Sequence, residues 1–505
     1  MAPRALTLRA VALACLAGAA GAARADASPP LPVLSMEAMA GVTNQAEGID
    51  GTASRADALW MLRPRLTMAR TGPVAWQLDA STTLTGSADG RAPLRASPAI
   101  DAALSAPLVA HLLEFDAAAR VRPVQVDPFG PRLQADQSGN QRTEQSYHLG
   151  PALHARPWRG GLLQARYESL VTFDSAGTRD RLQGSRTEFT LAQLPTPLGA
   201  SLSLSRLASR LHGTASSELV LQTARVGVDA APDTDLIVGL DAGVDRTRTP
   251  TARRDDALWA LHAGWRPSAR LDVSALVESR FFGRGGQFVL RERMPWLSLA
   301  ITAARRPTLV LQSDGGDAGD VRAALDAILT TRVPDRAERD TLVDALVSGL
   351  GVDTSGFAPA DIRTTYPQVQ SRAELALTLL APRTSVSLVL YGRSDRVLRR
   401  RGEPLAAGVA VADDSRQRGL SLQASRLLSP VLSVDLLGRM ARIEGLDAEA
   451  ARRSTDSLLR AWFTRQLSRH ASMTAGLQAQ RLRSTETGAE RTAAWLVFVG
   501  VADRF

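Results

Sequence analysis

The side chains best suited to acid–base or metal chemistry near neutral pH are six histidines: His111, His148, His154, His212, His262 and His470. No HExxH zinc motif, GxSxG nucleophile elbow or close His/carboxylate cluster accompanies them in the sequence. His148 and His154 fall on one predicted strand an even number of residues apart, so they point the same way. That suits strand-face histidines beside an aqueous lumen better than a ligand pair. The single cysteine, Cys15, excludes a disulfide framework, a Cys zinc site and a CxxC redox pair. All 60 basic residues are arginine, which excludes lysine nucleophiles, Schiff-base chemistry and a phosphate-loop lysine. Gly283-Arg284-Gly285-Gly286 lacks the spacing and the strand–loop–helix setting of a dinucleotide site, and Ser203-Leu204-Ser205 is strand composition. The chemistry points away from an enzyme, with no cofactor and no metal expected.

The elements that must position these residues begin after an export signal. Arg4 and Arg9 precede a short apolar stretch over 10–23, and Ala23-Arg24-Ala25 supplies small residues for cleavage. Residues 1–25 are therefore expected to be a signal peptide and 26–505 the mature chain. Ala12-Leu13-Ala14-Cys15 only loosely resembles a lipoprotein box, because the apolar run continues past the cysteine. Export also argues against a nucleic-acid partner, despite the formal charge of +9. No later stretch has the 18 or more apolar residues of a membrane helix.

The mature chain alternates instead. Trp60, Leu62, Leu66 and Met68 face one way, against Met61, Arg63, Arg65 and Thr67. Leu236, Val238, Leu240, Ala242 and Val244 alternate with Gly239, Asp241 and Asp245. The same period recurs from Leu34 to the last residues, with Arg, Asp and Glu on one phase. Period two with charge on one phase is the pattern of a transmembrane barrel strand, apolar outward and polar inward.

Turn chemistry supports this. Short connections appear at Thr71-Gly72-Pro73, 106–110, 157–160, 195–199, 231–234, Pro267-Ser268, Met294-Pro295, Ala381-Pro382-Arg383, Leu428-Ser429-Pro430 and 467–470. Longer polar stretches separate them, among them 45–56, 123–141, 247–254, 396–414 and 482–490. Strict alternation of short and long connections is the asymmetry of outer-membrane barrels. Ten hairpins and one strand at each end predict an all-β, antiparallel up-and-down barrel of about 22 strands. Plugged energy-coupled receptors share that number but carry an N-terminal plug; strands here begin within ten residues of the expected mature start.

The final strand reads Trp495, Val497, Val499 and Val501 on one phase, with Phe505 at its end. This pattern is expected to be read by the barrel-assembly machinery. The expected setting is the outer membrane with its lipopolysaccharide, which the run Arg399-Arg400-Arg401 could touch; a solvated loop is the alternative.

One segment breaks the period. Val321, Leu325, Ile328 and Leu329 make one helical stripe, and Leu342, Val343, Leu346, Val347 and Leu350 another. Asp317, Asp320 and Pro334-Asp335 with Glu338 suit helix starts. A helical hairpin over 317–351 is expected between late strands, in an extracellular loop or in the lumen.

The stretch Arg280-Phe281-Phe282-Gly283 through Arg293, followed by Trp296-Leu297-Ser298-Leu299-Ala300, resembles the hairpin of one proteobacterial family. Leu112 to Ala117, Pro128-Phe129-Gly130 and Val333 to Arg339 resemble it too. This is the outer-membrane β-barrel family associated with PEP-CTERM/exosortase and exopolysaccharide systems. Its Asn-rich first-loop features reduce here to Thr43-Asn44-Gln45. The resemblance implies a role near exopolysaccharide secretion or cell-surface organisation, with polysaccharide or secretion components as partners. Either a polar pore or a non-conducting surface scaffold fits.

Overall fold

The computed structural model describes residues 32–44, 57–70, 72, 74–88, 94–110, 112–125, 141–174, 181–212, 217–248, 253–308, 368–397, 414–446, 452–468, 470–485 and 492–505. The signal segment with Ala23 and Ala25, the arginine run at 399–401 and the expected helical hairpin over 317–351 lie outside the described residues.

The described residues form one sheet of 22 antiparallel strands. In order they are β1 (Val33–Thr43), β2 (Asp57–Arg70), β3 (Ala75–Ser87), β4 (Arg95–Val109), β5 (Leu113–Gln125), β6 (Gln141–Ala155), β7 (Gly161–Asp174) and β8 (Arg181–Gln193). Next come β9 (Leu198–His212), β10 (Ser217–Asp233), β11 (Leu236–Arg248), β12 (Arg253–Ser268), β13 (Leu271–Arg280), β14 (Gly283–Arg293) and β15 (Leu297–Thr308). The last seven are β16 (Gln368–Ala381), β17 (Thr384–Val397), β18 (Ser415–Ser429), β19 (Leu432–Gly445), β20 (Arg453–Gln466), β21 (Ala471–Ser484) and β22 (Thr492–Arg504). Each strand pairs with its sequence neighbours, and β22 pairs with β1 from Ser35↔Arg504 to Thr43↔Leu496. The Phe505 N–H donates to the Leu34 carbonyl at 2.7 Å beside that seam. Closure leaves the sheet no open edge, which is what a strand-built wall needs in a medium without water.

All ten expected short connections join strand pairs, from β2–β3 to β20–β21. Strict alternation of length does not hold. At the end of the barrel where the long connections lie, β13 and β14 are joined by Phe281-Phe282 alone. Gly283 takes φ +99° there, a conformation open to glycine at little cost. The FFG sequence is thus a tight hairpin turn, and the barrel wall is short at that point.

Directly opposed residues of an antiparallel pair share a face, so the register carries each face around the barrel. One lumenal row runs Asp229, Gly239, His262, Leu276, Gln287, Ala304. The other phase points outward and is apolar: Val226, Val228, Leu240, Leu261, Val277 and Leu477 are all more than half exposed. Outward or turn-borne tryptophans gather toward both ends, with Trp76, Trp158, Trp265 and Trp296 toward the short turns and Trp60, Trp259 and Trp495 toward the long connections. Amphipathic indoles favour the two membrane interfaces. Trp462 breaks the rule: it faces the lumen, 6% exposed, packed with Leu437 and Phe498.

Candidate lumenal site

The lumen owes its character to a local sequence device. Because side chains alternate, residues i and i+2 of a strand sit on the same face. Arg166-Tyr167-Glu168, Arg186-Thr187-Glu188, Glu278-Ser279-Arg280, Arg372-Ala373-Glu374 and Arg393-Ser394-Asp395 each place an arginine and a carboxylate side by side on the lumenal phase. Arg166 Nε lies 2.7 Å from Glu168 Oε1. Arg393 Nε lies 2.6 Å from Asp395 Oδ2. Arg186 and Arg372 make the same contact with Glu188 and Glu374. Across β7 and β8, Arg166 stands opposite Glu188 and Glu168 opposite Arg186, so four charges alternate in a square.

The best-buried node lies beneath the FFG turn. Asp245 is fully buried and takes a two-point contact from Arg280, with Nε and Nη2 at 2.8 Å. Thr223 Oγ1 donates to Asp245 at 2.7 Å and accepts from Arg280 Nη2 at 2.9 Å. Arg225 Nη2 donates to Glu278 at 2.8 Å, and Arg280 Nη1 lies 3.6 Å from the same carboxylate. The Arg280 guanidinium also lies 5.6 Å from the Phe282 ring centroid and 6.0 Å from that of Phe281. Residues of β10, β11 and β13 thereby pin the turn down, through desolvated charge-assisted hydrogen bonds and cation–π contacts.

Thr223, Arg225, Glu278 and Arg280 of this node border a cavity of about 1040 Å³ on the β5–β10 and β13–β15 walls. Arg120, Arg122, Arg166, Arg186, Arg225 and Arg280 reach it, with Glu144, Glu168, Glu188 and Glu278. Hydroxyls of Thr190, Ser203, Ser205 and Thr223 complete the polar lining, and His148 contributes an imidazole.

Folding also assembles a pair that the sequence reading excluded. The His262 Nε2 lies 2.7 Å from Asp229 Oδ1, and its Nδ1 lies 3.6 Å from Asp241 Oδ2. The expectation of no His/carboxylate cluster is corrected here: these residues sit on three successive strands, 33 and 21 positions apart in the chain. Glycines make the room. A Cβ on Gly239 would lie 2.2 Å from Asp229 Oδ1, and one on Gly227 would lie 2.2 Å from Asp241 Oδ1. Among the described residues, no group of three or more His, Cys, Asp or Glu side chains is arranged to hold a metal ion.

The opposite wall is closed to solvent. On the lumenal faces of β18 and β19, Gln417, Ser421, Ser425 and Asp435 are each exposed by 1% or less. The Ser421 hydroxyl and both amide atoms of Gln423 are buried without a hydrogen-bond partner. Nearby, Arg460 lies 4.9 Å from the Trp462 ring centroid and 4.8 Å from that of Phe498.

Of the residues singled out from sequence, Trp495, Val497, Val499 and Val501 line up outward on β22, each more than 40% exposed, and Phe505 is exposed at its end. His148 and His154 share the lumenal phase of β6 as expected. The Arg/carboxylate pairs were missed as sites, yet Arg-x-Glu, Arg-x-Asp and Glu-x-Arg inside alternating segments were signals that could have found them.

No family model matches the chain, and no curated protein does. Among solved structures, the FrpB iron transporter from Neisseria meningitidis in its F5-1 apoprotein form is 8% identical, with a TM-score of 0.51 over 94% of this chain and 81% of that one. Its F3-3 variant gives the same figures. The siderophore receptor PirA from Acinetobacter baumannii is 9% identical, with a TM-score of 0.49 over 95% and 81%. At these identities the likeness to FrpB is one of fold. A closed 22-strand barrel, apolar outside and polar within, places this protein in the outer membrane.

Proposed function

We propose that this outer-membrane barrel conducts a polar solute through the side of its lumen bordered by β5–β10. The observation that carries the reading is the cavity of about 1040 Å³ walled by paired arginines and carboxylates. Such a wall exchanges hydrogen bonds with a hydrated solute, and only a few apolar side chains, such as Leu170, Leu221 and Leu276, stand among the charged and hydroxyl groups. The resemblance of the FFG hairpin region to the exopolysaccharide-associated family suggests a saccharide. The transporter and receptor names among the fold neighbours are compatible with passage of a ligand, but the lumen side chains must decide which one. Planar-bilayer recording of the purified protein tests the proposal: stable single-channel conductance is expected, and silence across many insertions sinks it.

A second reading has its own observation. The lumenal faces of β18 and β19, around Gln417, Ser421 and Asp435, are closed to solvent. A barrel filled on that side suits a non-conducting scaffold that holds surface polymer or partner proteins by its long connections. Silent bilayers together with polymer retention on cells favour it.

A further inference from the structure

We infer that the cavity on the β5–β10 wall binds an anionic saccharide, its acidic groups held by the guanidiniums of Arg166 and Arg186. The inference deepens the conduit reading, on which its role in passage rests. Among the described residues, nine arginines and four glutamates line this cavity, so the count of charges already favours an anion. The depths of the paired groups add to that preference. Arg166 is 49% exposed and its partner Glu168 19%; Arg122 is 26% and Glu144 15%; Arg225 is 19% and Glu278 5%. The cause is side-chain length: the short carboxylate stays near the wall, and the longer arginine carries its planar head toward the axis. Those three pairs are therefore dipoles with the positive end inward. Arg186 and Glu188 are level, at 35% and 39%.

A guanidinium has five N–H donors, and one carboxylate engages at most two of them in a fork. The inner surface is thus rich in charged donors that acidic groups can accept from. Beside them on β8 and β9 are the hydroxyls of Thr190, Ser203 and Ser205, which match sugar hydroxyls. At about 1040 Å³ the cavity stands at the upper end of the range of roughly 300–1,000 Å³ typical of ligand pockets, room for several sugar units.

The test uses the full-length protein in detergent and three probes: a labelled oligogalacturonate, a dextran oligomer of equal length, and inorganic phosphate. Oligogalacturonate should bind and dextran should not. Binding should weaken as NaCl rises from about 0.1 M to about 1 M, where the screening length falls from about 10 Å to about 3 Å. The double variant R166Q/R186Q should lose roughly tenfold in affinity, about 1.4 kcal/mol, while keeping its folded-barrel gel migration. The inference is overturned if dextran binds equally, if oligogalacturonate does not bind, or if the folded double variant binds as before. Phosphate competing as well as oligogalacturonate, mole for mole, would overturn the saccharide class and leave a simple anion site. Binding retained with silent bilayers would sink the conduit reading and leave the site standing.

Discussion

Arg280 shows how much one lumenal side chain can decide. It neutralises Asp245, contacts Glu278 and sits against both phenylalanines of the turn that follows it. Replacing it by Gln leaves the fully buried Asp245 carboxylate without its counter-charge, while Glu278 keeps Arg225. Removing one partner of a buried pair typically costs about 3–5 kcal/mol. R280Q should therefore lower the temperature at which the barrel loses its compact gel migration in detergent. R120Q is the control: its pair with Asp101 is nearly half exposed on both sides, and such pairs contribute at most about 1 kcal/mol. Equal shifts in the two variants would show that Asp245 is not the buried anchor described. Glycines give a second contrast. A Cβ at Gly243 would lie 2.0 Å from the Ala224 carbonyl oxygen, a backbone atom, whereas one at Gly438 meets nothing within 4 Å. G243A should weaken the β10–β11 ladder, and G438A should be neutral or stabilising by roughly 0.5–1 kcal/mol, since a strand glycine carries extra chain entropy.

At the scale of the element, the two faces of a strand have opposite tolerances. Val499 on β22 points outward and stands opposite Ala40, also outward, at the seam. Arginine at 499 would meet hydrocarbon, at a cost of about 2–4 kcal/mol near the bilayer midplane. Thr474 on β21 faces the lumen, opposite Gly500. V499R should therefore reduce the yield of folded barrel in liposomes, and T474R should fold near wild type. If T474R failed and V499R folded, the inside and outside of β21 and β22 would be exchanged. The β13–β14 hairpin makes a further point. Its two-residue turn depends on the left-handed Gly283 and on Arg280 holding it down, so G283A should cost about 1–2 kcal/mol without any lost contact.

For the whole molecule, closure is the property to test. The β22–β1 ladder runs from Ser35↔Arg504 to Thr43↔Leu496, as continuous as the interior ladders. Amides of Met36 to Thr43 should then exchange with deuterium as slowly as those of β11 in the same detergent. Faster exchange along β1 would mean an open edge there and a sheet that does not close. The two sides of the lumen differ as well: charged and partly open along β5–β10, closed to solvent along β18 and β19.

The sequence alone determined the class of fold, the outward faces and the ten tight connections. Period two is local information, and proline and glycine act on the backbone within a few residues. Hence Trp495, Val497, Val499 and Val501 could be set on one face before any pairing was known. Which lumenal residues meet was a different matter. His262 finds Asp229 and Asp241 only through the registers of β10, β11 and β12, and two glycines clear the space between them. Arg280 reaches Asp245 across β12, a contact between strands that no local spacing encodes. The two-residue connection at Phe281-Phe282 broke the expected alternation of lengths because the node beneath it anchors the turn low on the wall. Register, depth and the radial order of acid and base arise from closing the sheet, since only closure fixes which side chains share the enclosed space.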